Sequence, residues 1–137
     1  MLKEAVCDLG QANNDGVTPA YWAARNGHEA CLRLLKEAGC DLGQAGSGSE
    51  TPAHVAAQYG HEGCLRLLKE AGCDLGQANI NGCTPAYWAA RNGHEGCLRL
   101  LKEAGCDLEQ VDYGGRTHAH EAAWCGHEGC LCLLKET

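Results

Sequence analysis

Long hydrophobic runs are absent from this sequence of 137 residues. Its apolar residues, 45% of the total, come in short clusters such as Leu32, Leu34 and Leu35, whereas a membrane-spanning helix needs about 18 or more in succession. The first residues also lack an apolar stretch of signal-peptide length. We therefore expect no membrane segment and no secretion, and we assign the protein to the cytoplasm, a reducing compartment.

Positive charge is scarce as well. Lys and Arg number 11 against 18 Asp and Glu, which gives a formal net charge of -7 with neutral histidines. A protein that binds the phosphate backbone of a nucleic acid normally carries a basic stripe, and none is visible here. A glycine-rich phosphate-binding loop is also missing, because the 19 glycines are accounted for largely by helix ends and turns. We expect neither a nucleic acid nor a small-molecule substrate as the ligand, and no cofactor.

What the sequence does contain is a repeat with a period of 33 residues. Threonines and glycine-histidine pairs recur at this interval, at Thr18, Thr51, Thr84 and Thr117 and at Gly27-His28, Gly60-His61, Gly93-His94 and Gly126-His127. Residues 18–44 and 84–110 differ at only two of 27 positions. A fixed period of this length predicts a solenoid of stacked units. The near-identity of two copies indicates recent duplication or deliberate consensus construction.

Each copy contains signals for two helices. Thr18 can cap a helix with its hydroxyl, Pro19 suits the first helical position, and Gly27 can end the helix in the left-handed conformation. A second, more apolar helix is predicted to begin at His28 and to end at Gly39. The rest of the copy is extended and leads into turn-forming residues, which predicts a projecting hairpin.

The residue pattern of the repeat carries a family resemblance. Residues 15–28 read DGVTPAYWAARNGH, and residues 34–41 read LLKEAGCD. This pattern resembles the ankyrin repeat signature, in which Thr-Pro-Leu-His-x-Ala-Ala is followed by Gly-His and by a Leu-Leu-x-x-Gly-Ala-Asp segment. The resemblance implies an all-α repeat solenoid, an ankyrin-type stack of helix-turn-helix units with projecting β-hairpin loops. Copy four departs most, with His118 in place of proline and Glu121 in the position of Trp22 and Trp88.

The repeat register divides the sequence into five parts. Residues 1–12 align with 34–45, the end of a second helix and the hairpin arm, and are assigned as a partial repeat. Repeats 1 to 4 then occupy residues 13–45, 46–78, 79–111 and, truncated, 112–137. A polar capping repeat, which solenoid ends normally need, is visible at neither end. We expect either a fragment of a longer array or end-to-end self-association through uncapped termini.

The 11 cysteines are unusually many for a protein of this length. Eight of them form two ladders at equivalent repeat positions, Cys31, Cys64, Cys97 and Cys130 and then Cys7, Cys40, Cys73 and Cys106. We expect these eight to be buried as small apolar residues in a reducing compartment. Cys132, which stands at an arginine position, and Cys83, in a hairpin tip, are expected to be exposed.

A metal site is the alternative for the cysteines and histidines. Zinc needs about four ligands in tetrahedral geometry, and the recurring His-x-x-Cys pairs of adjacent copies lie too far apart to share an ion. We therefore assign no metal ligands, although the cluster from Cys125 to Cys132, with His118 and His120 nearby, leaves a zinc or nickel site open. The same repetition argues against a Cys-His enzyme, because catalysis needs one pre-organised constellation in a pocket. We expect no catalytic residues.

The resemblance also implies where a partner would bind. In such a stack the first helices and hairpins line the concave surface, so the residues before each helix-ending glycine and at the hairpin tips should project into a groove. Tyrosine, tryptophan and arginine dominate binding energy at interfaces. The predicted partner-binding residues are Arg25, Asn26, Gln58, Tyr59, Arg91, Asn92, Tyr113, Arg116 and Trp124. Trp22 and Trp88 are instead expected to pack, at least half-buried, between first helices.

The function predicted from these observations is that of a protein-binding module without catalysis. The partner is another protein, which the sequence does not identify. The alternative is a structural spacer, or a consensus-like engineered scaffold, that has no specific partner. The near-identical copies favour the engineered scaffold, whereas the surplus of thiols disfavours it.

Overall fold

The structure is a computed structural model that describes residues 13, 16–108, 112 and 114–135. Within these residues four pairs of α-helices follow one another along the sequence. The pairs are α1 (Pro19–Asn26) with α2 (Glu29–Glu37), α3 (Pro52–Gln58) with α4 (Glu62–Glu70), α5 (Pro85–Asn92) with α6 (Glu95–Glu103), and α7 (His118–Trp124) with α8 (Glu128–Lys135). The partial repeat predicted at 1–12 lies outside the described residues.

The predicted start and end of the first helices are confirmed. The hydroxyl of Thr18 accepts a hydrogen bond from the backbone N–H of Tyr21 at 3.2 Å, and Pro19 is the first helical residue. Gly27 follows the helix with a φ of 76°, in the left-handed region that favours glycine. α7 has His118 in place of proline at its first position. The helix still begins there, because the hydroxyl of Thr117 accepts a hydrogen bond from the backbone N–H of His120 at 3.1 Å.

The helices form two layers. The first helices α1, α3, α5 and α7 pack side by side, and so do the second helices α2, α4, α6 and α8. Alanines such as Ala24, Ala56 and Ala89 are fully buried between the first helices, where small side chains allow a close approach of the backbones. Leu65 and Leu98 are fully buried on the second helices. The two layers share one continuous core along the stack.

The projecting loops precede the first helix of each repeat. They are closed by backbone hydrogen bonds, for example from Gly46 N–H to the Glu50 carbonyl at 2.8 Å and from Asn79 N–H to the Cys83 carbonyl at 2.8 Å. Adjacent loops are joined where Ile80 N–H donates to the Gly48 carbonyl at 2.9 Å. Each described loop is a hairpin-like turn, and no β-strand is assigned in the part of the sequence that the structure describes.

The cysteine ladders are only partly buried. Cys64, Cys97 and Cys130 are buried on the second helices, and Cys40, Cys73 and Cys106 are half-buried, while Cys7 lies outside the described residues. Cys31, predicted to be buried, is exposed. It occupies α2, the first of the described second helices, whereas the thiol of Cys64 lies 4.0 Å from the Ala23 carbonyl of the preceding repeat.

The prediction that Cys83 is exposed is wrong, because Cys83 is only 6% exposed. Its backbone N–H donates to the Asn79 side-chain oxygen at 3.0 Å, and its carbonyl lies 3.0 Å from Nε2 of His54 in the preceding repeat. These contacts place Cys83 between its own loop and the preceding repeat. Cys132 is exposed, as predicted.

Candidate functional site

The predicted partner-binding residues lie at the ends of the first helices. Arg25 and Asn26 end α1, Gln58 and Tyr59 end α3, Arg91 and Asn92 end α5, and Trp124 ends α7, while Arg116 lies in the loop before α7. Tyr113 lies outside the described residues. We call the described members of this set the groove row. Side chains of this row connect each first helix with the next, through a side chain or a backbone carbonyl of the neighbouring helix.

Arg25 and Tyr59 connect repeats 1 and 2. Nη2 of Arg25 donates to the Tyr59 hydroxyl at 3.4 Å, and the guanidinium carbon lies 5.1 Å from the centre of the Tyr59 ring. The same carbon lies 5.5 Å from the Trp22 ring, so the cation is placed between two aromatic rings. Tyr59 remains 43% exposed and Trp22 45% exposed. Trp22 is thus more exposed than predicted, whereas Trp88 is half-buried as expected.

Asn92 connects repeats 2 and 3, with a partly structural role. Its Nδ2 donates to the Gln58 backbone carbonyl at 2.9 Å, and Nε2 of His94 lies 3.1 Å from the same oxygen. This carbonyl ends α3 and would otherwise lack an intrahelical partner. The side chain of Asn92 therefore holds the preceding helix, which leaves less of its amide for a partner.

The glycine-histidine pair of the repeat signature is explained by a contact between neighbouring repeats. A β-carbon on Gly60 would lie 2.6 Å from Nδ1 of His94, and one on Gly93 would lie 2.6 Å from Nδ1 of His127. Real side chains do not approach so closely, so each histidine ring lies against the bare backbone of the preceding repeat. The pair therefore packs neighbouring repeats against each other.

Arg91 and Arg116 meet around a buried carboxylate between repeats 3 and 4. Nε of Arg91 lies 3.7 Å from Oε1 of Glu121, and Nη1 of Arg116 lies 3.6 Å from Oε2 of the same residue. Asp112 lies beyond Arg116, with Oδ2 at 3.5 Å from its Nε. The Arg91 guanidinium also lies over the Trp88 ring at 5.5 Å. The sequence marks Glu121 as a departure from the repeat but does not connect it with the arginines.

A pocket of about 340 Å³ opens beside this pair of arginines. It is lined by Arg91, Arg116, His120, Glu121 and Trp124, and we call it the arginine pocket. Trp124, 88% exposed, is the most exposed large aromatic side chain among the described residues. The site thus combines two cations with an aromatic wall.

Two buried histidines hold the loops from within. The backbone N–H of Thr51 donates to Nδ1 of His54 at 3.1 Å, so Nε2 carries the proton toward the Cys83 carbonyl. Burial lowers the pKa of His54 below its usual value, and the nearby Glu50 carboxylate opposes this only in part. Burial likewise lowers the pKa of His118, whose Nε2 lies 3.0 Å from the Thr84 hydroxyl. The buried hydrogen bonds of both rings indicate a structural role.

Tyr87 stands where copies two and four have histidine. Burial raises the pKa of its hydroxyl to about 12, and the nearby Glu121 carboxylate adds to the shift. The hydroxyl contacts Asp112 of the next repeat. Burial raises the pKa of Asp112, but hydrogen bonds from the N–H groups of Arg116 and Gly114 outweigh it and hold that pKa below its usual value.

No group of three or more histidine, cysteine or acidic side chains is arranged to hold a metal ion within the residues that the structure describes. Cys125, Cys130 and Cys132, where the sequence leaves a site open, are among the described residues. No helix in the described ranges is long and apolar enough to cross a membrane.

Comparison with known proteins agrees with this architecture. A family model described as ankyrin repeats (3 copies) matches residues 1–79 and 71–137, which together span the sequence. No curated protein matches the sequence. Members of this family generally mediate protein-protein interactions and are typically not catalytic. The paired helices, the stacked layers and the family match agree, and the chain belongs to the ankyrin repeat family.

Proposed function

We propose that this protein is a binding module that presents the groove row to a partner protein and catalyses no reaction. The observation that carries the proposal is the exposure of large aromatic side chains along the row, above all Trp124 at 88%. Tryptophan and tyrosine are among the residues that dominate interface energies, and here they lie on one surface together with arginines.

Pre-organisation supports the same proposal. Arg25 is held against Tyr59 by a hydrogen bond and by the ring face, and Arg91 is held between Trp88 and Glu121. Side chains that are already ordered lose less conformational entropy on binding. The groove row therefore offers an ordered surface on packed helices. We also propose that the repeats that carry it have the boundaries 13–45, 46–78, 79–111 and 112–137.

The test is a pair of substitutions in the groove row. In a pull-down experiment, the double variant Tyr59→Ala Trp124→Ala should no longer bind the proteins that the unsubstituted protein binds. Its melting temperature should change little. Arg99→Ala, on the exposed side of α6, serves as a control that should capture them normally. If the double variant mainly lowers the melting temperature, or captures the same proteins, the side chains are structural and the spacer alternative is favoured.

A second proposal concerns association between copies of this protein. Trp22, Cys31 and Leu34 line an apolar depression of about 440 Å³ on repeat 1, and Leu34 is 65% exposed. We propose that two copies can associate end to end through this surface. Light scattering at high protein concentration tests the proposal: Leu34→Glu should reduce the average mass, and a monodisperse monomer before substitution would contradict it.

A further inference from the structure

We infer that the arginine pocket binds a carboxylate of the partner protein, and this inference rests on the proposed function. The pocket contains two guanidinium groups around one buried carboxylate, between repeats 3 and 4. A group from another molecule can bind to the same two guanidinium groups. Exposure, geometry and the neighbouring side chains each favour a carboxylate in that role.

Exposure decides which charges a ligand meets first. The side chains of Glu121 and Asp112 are 6% and 5% exposed, whereas those of Arg91 and Arg116 are 46% and 61% exposed. An incoming group therefore contacts the cations, while the anions lie beneath them. The two cations and the two carboxylates cancel in formal charge, so the preference for an anion comes from the outer position of the guanidinium groups and not from a net positive charge.

The geometry of the two arginines leaves N–H groups that can donate to such an anion. Glu121 faces each guanidinium with one oxygen, at 3.6 to 3.7 Å, which is longer than a charge-assisted hydrogen bond of about 2.7 to 2.9 Å. A guanidinium carries five N–H donors in a planar fork. The fork matches the two oxygens of a carboxylate, so a carboxylate from the partner can bind either arginine in bidentate fashion or bridge the two.

The walls of the pocket define what flanks the carboxylate. Trp124 forms an exposed apolar wall, and His120 is also exposed at the edge. An apolar side chain next to the acidic group of the partner would cover the indole ring, and the burial of this apolar surface favours binding. The expected ligand is thus the carboxylate of an acidic side chain, or of the last residue of a polypeptide, beside an apolar residue.

The equivalent place between repeats 1 and 2 lacks this chemistry. Arg25 stands where Arg91 stands, but Val55 replaces Glu121 and Glu50 replaces Arg116. A single cation held by Tyr59 is left there, with an acidic side chain in the position of the second arginine. We therefore place the carboxylate site at repeats 3 and 4 and not at repeats 1 and 2.

Four short peptides serve as probes, with binding followed by the NMR signals of the tryptophan indole groups. They are acetyl-Leu-Glu-Leu-amide, its glutamine counterpart, its phosphoserine counterpart, and acetyl-Leu-Leu-Leu with a free C-terminal carboxylate. We expect the glutamate peptide to bind about fivefold more tightly than the glutamine peptide, as for a partly exposed ion pair. Comparable binding of the free-acid peptide would support the carboxylate site and extend it to terminal carboxylates. Tighter binding of the phosphoserine peptide than of both carboxylate peptides would overturn the assignment in favour of phosphate.

Substitutions separate a binding role from a structural one. Glu121→Gln removes the internal competitor, so it should tighten binding of the glutamate peptide by about threefold, which a purely structural ion pair would not do. The triple variant Arg91→Gln Arg116→Gln Glu121→Gln removes both cations and the carboxylate between them, so it should lose the preference for glutamate. Buried Asp112 loses its ion pair but keeps its hydrogen bonds from the backbone N–H groups of positions 114 and 116. The melting curve of the triple variant shows whether it folds, and Arg99→Gln, which removes one exposed cation elsewhere, should leave the preference unchanged.

Equal binding of the glutamate and glutamine peptides, a preference that persists in the folded triple variant, or no peptide binding at all would overturn the carboxylate site. The proposed function would survive each of these results if partner capture still depends on Tyr59 and Trp124. If capture is independent of those two residues, the proposed function itself fails.

Discussion

The imidazole ring of His94 fills the space that a β-carbon on Gly60 would need, with Nδ1 only 2.6 Å from that position. Gly60 also has a φ of 79°, which side chains rarely adopt. Gly60→Ala should therefore destabilise the fold in two ways. The left-handed backbone costs about 1 kcal/mol, and displacing the His94 ring costs about 1 to 2 kcal/mol more. Urea unfolding measures the sum.

Gly72→Ala is the matched control for this substitution. Gly72 has a φ of 83°, and a β-carbon there would meet nothing within 4 Å among the described residues. Only the backbone cost of about 1 kcal/mol is expected. In a His94→Ala background, the cost of Gly60→Ala should fall to the same value as that of Gly72→Ala. Equal losses for the two glycines in the unchanged protein would show that the ring does not restrict the position.

A threonine at the start of a first helix should matter more where a histidine also binds it. Thr18 and Thr84 cap α1 and α5, two helices of identical sequence, but the Thr84 hydroxyl also lies 3.0 Å from Nε2 of His118. Thr18→Ala should cost about 1 kcal/mol of unfolding free energy. Thr84→Ala should cost about 1 kcal/mol more, because it leaves a buried imidazole nitrogen without its partner. Urea unfolding of both variants measures the difference, and equal costs would contradict a contribution from the histidine contact.

Acidification should destabilise the stack through its buried histidines. The pKa of His54 and of His118 is lowered in the folded state, mainly by burial. Above the unfolded value of about 6.5 both states are neutral and the full stability is present. As the pH falls below it, the unfolded state takes up protons first, so the free energy of unfolding decreases toward the folded pKa values. Urea midpoints at pH values of about 7.5 and 5.5, on either side of the unfolded pKa, measure this loss.

The buried position of His118 offers a control for that experiment. His118→Gln should weaken the dependence of the urea midpoint on pH, while His120→Gln, at an exposed position, should leave most of it in place. If the midpoint does not move between the two pH values, the buried rings are not the groups that titrate.

Thiol labelling should separate cysteines that occupy one repeat position. Burial raises the pKa of Cys64 and Cys130 to about 11 and that of Cys97 to about 12, against 9.0 for an ordinary thiol. A rise of about two pH units lowers the reactive thiolate fraction about 100-fold. At neutral pH iodoacetamide should therefore modify exposed Cys31 long before Cys64, as mass spectrometry of digests would show. Similar rates would mean that the second helices separate readily.

Much of the fold could be predicted from the sequence because its signals are local. Thr18, Pro19 and Gly27 act through their own backbone neighbours, so the bounds of α1 follow from three residue types. Burial of a ladder residue is different, because it depends on the adjoining repeat. Cys31 and Cys64 have nearly the same local sequence, yet Cys31 is exposed, whereas Cys64 is buried against the Ala23 carbonyl of the preceding repeat.

The candidate site was harder to predict for the same reason. The groove row followed from the family resemblance, but the pairing of Arg91 with Glu121 spans two repeats and 30 residues of sequence. The prediction for Cys83 is wrong because the contact of that residue with His54 comes from the repeat before. Contacts between repeats decide the chemistry, and a single repeat does not contain them.

Arg25 and Arg91 are the same residue in nearly the same 27-residue segment, yet one rests on a phenol ring and the other on a carboxylate. The difference comes from the unit that follows each of them. In a protein built this way, the order of the units carries information that no unit carries alone. Exchanging repeats 2 and 4 would therefore move the carboxylate pocket from Arg91 to Arg25, although neither of these two arginines is substituted.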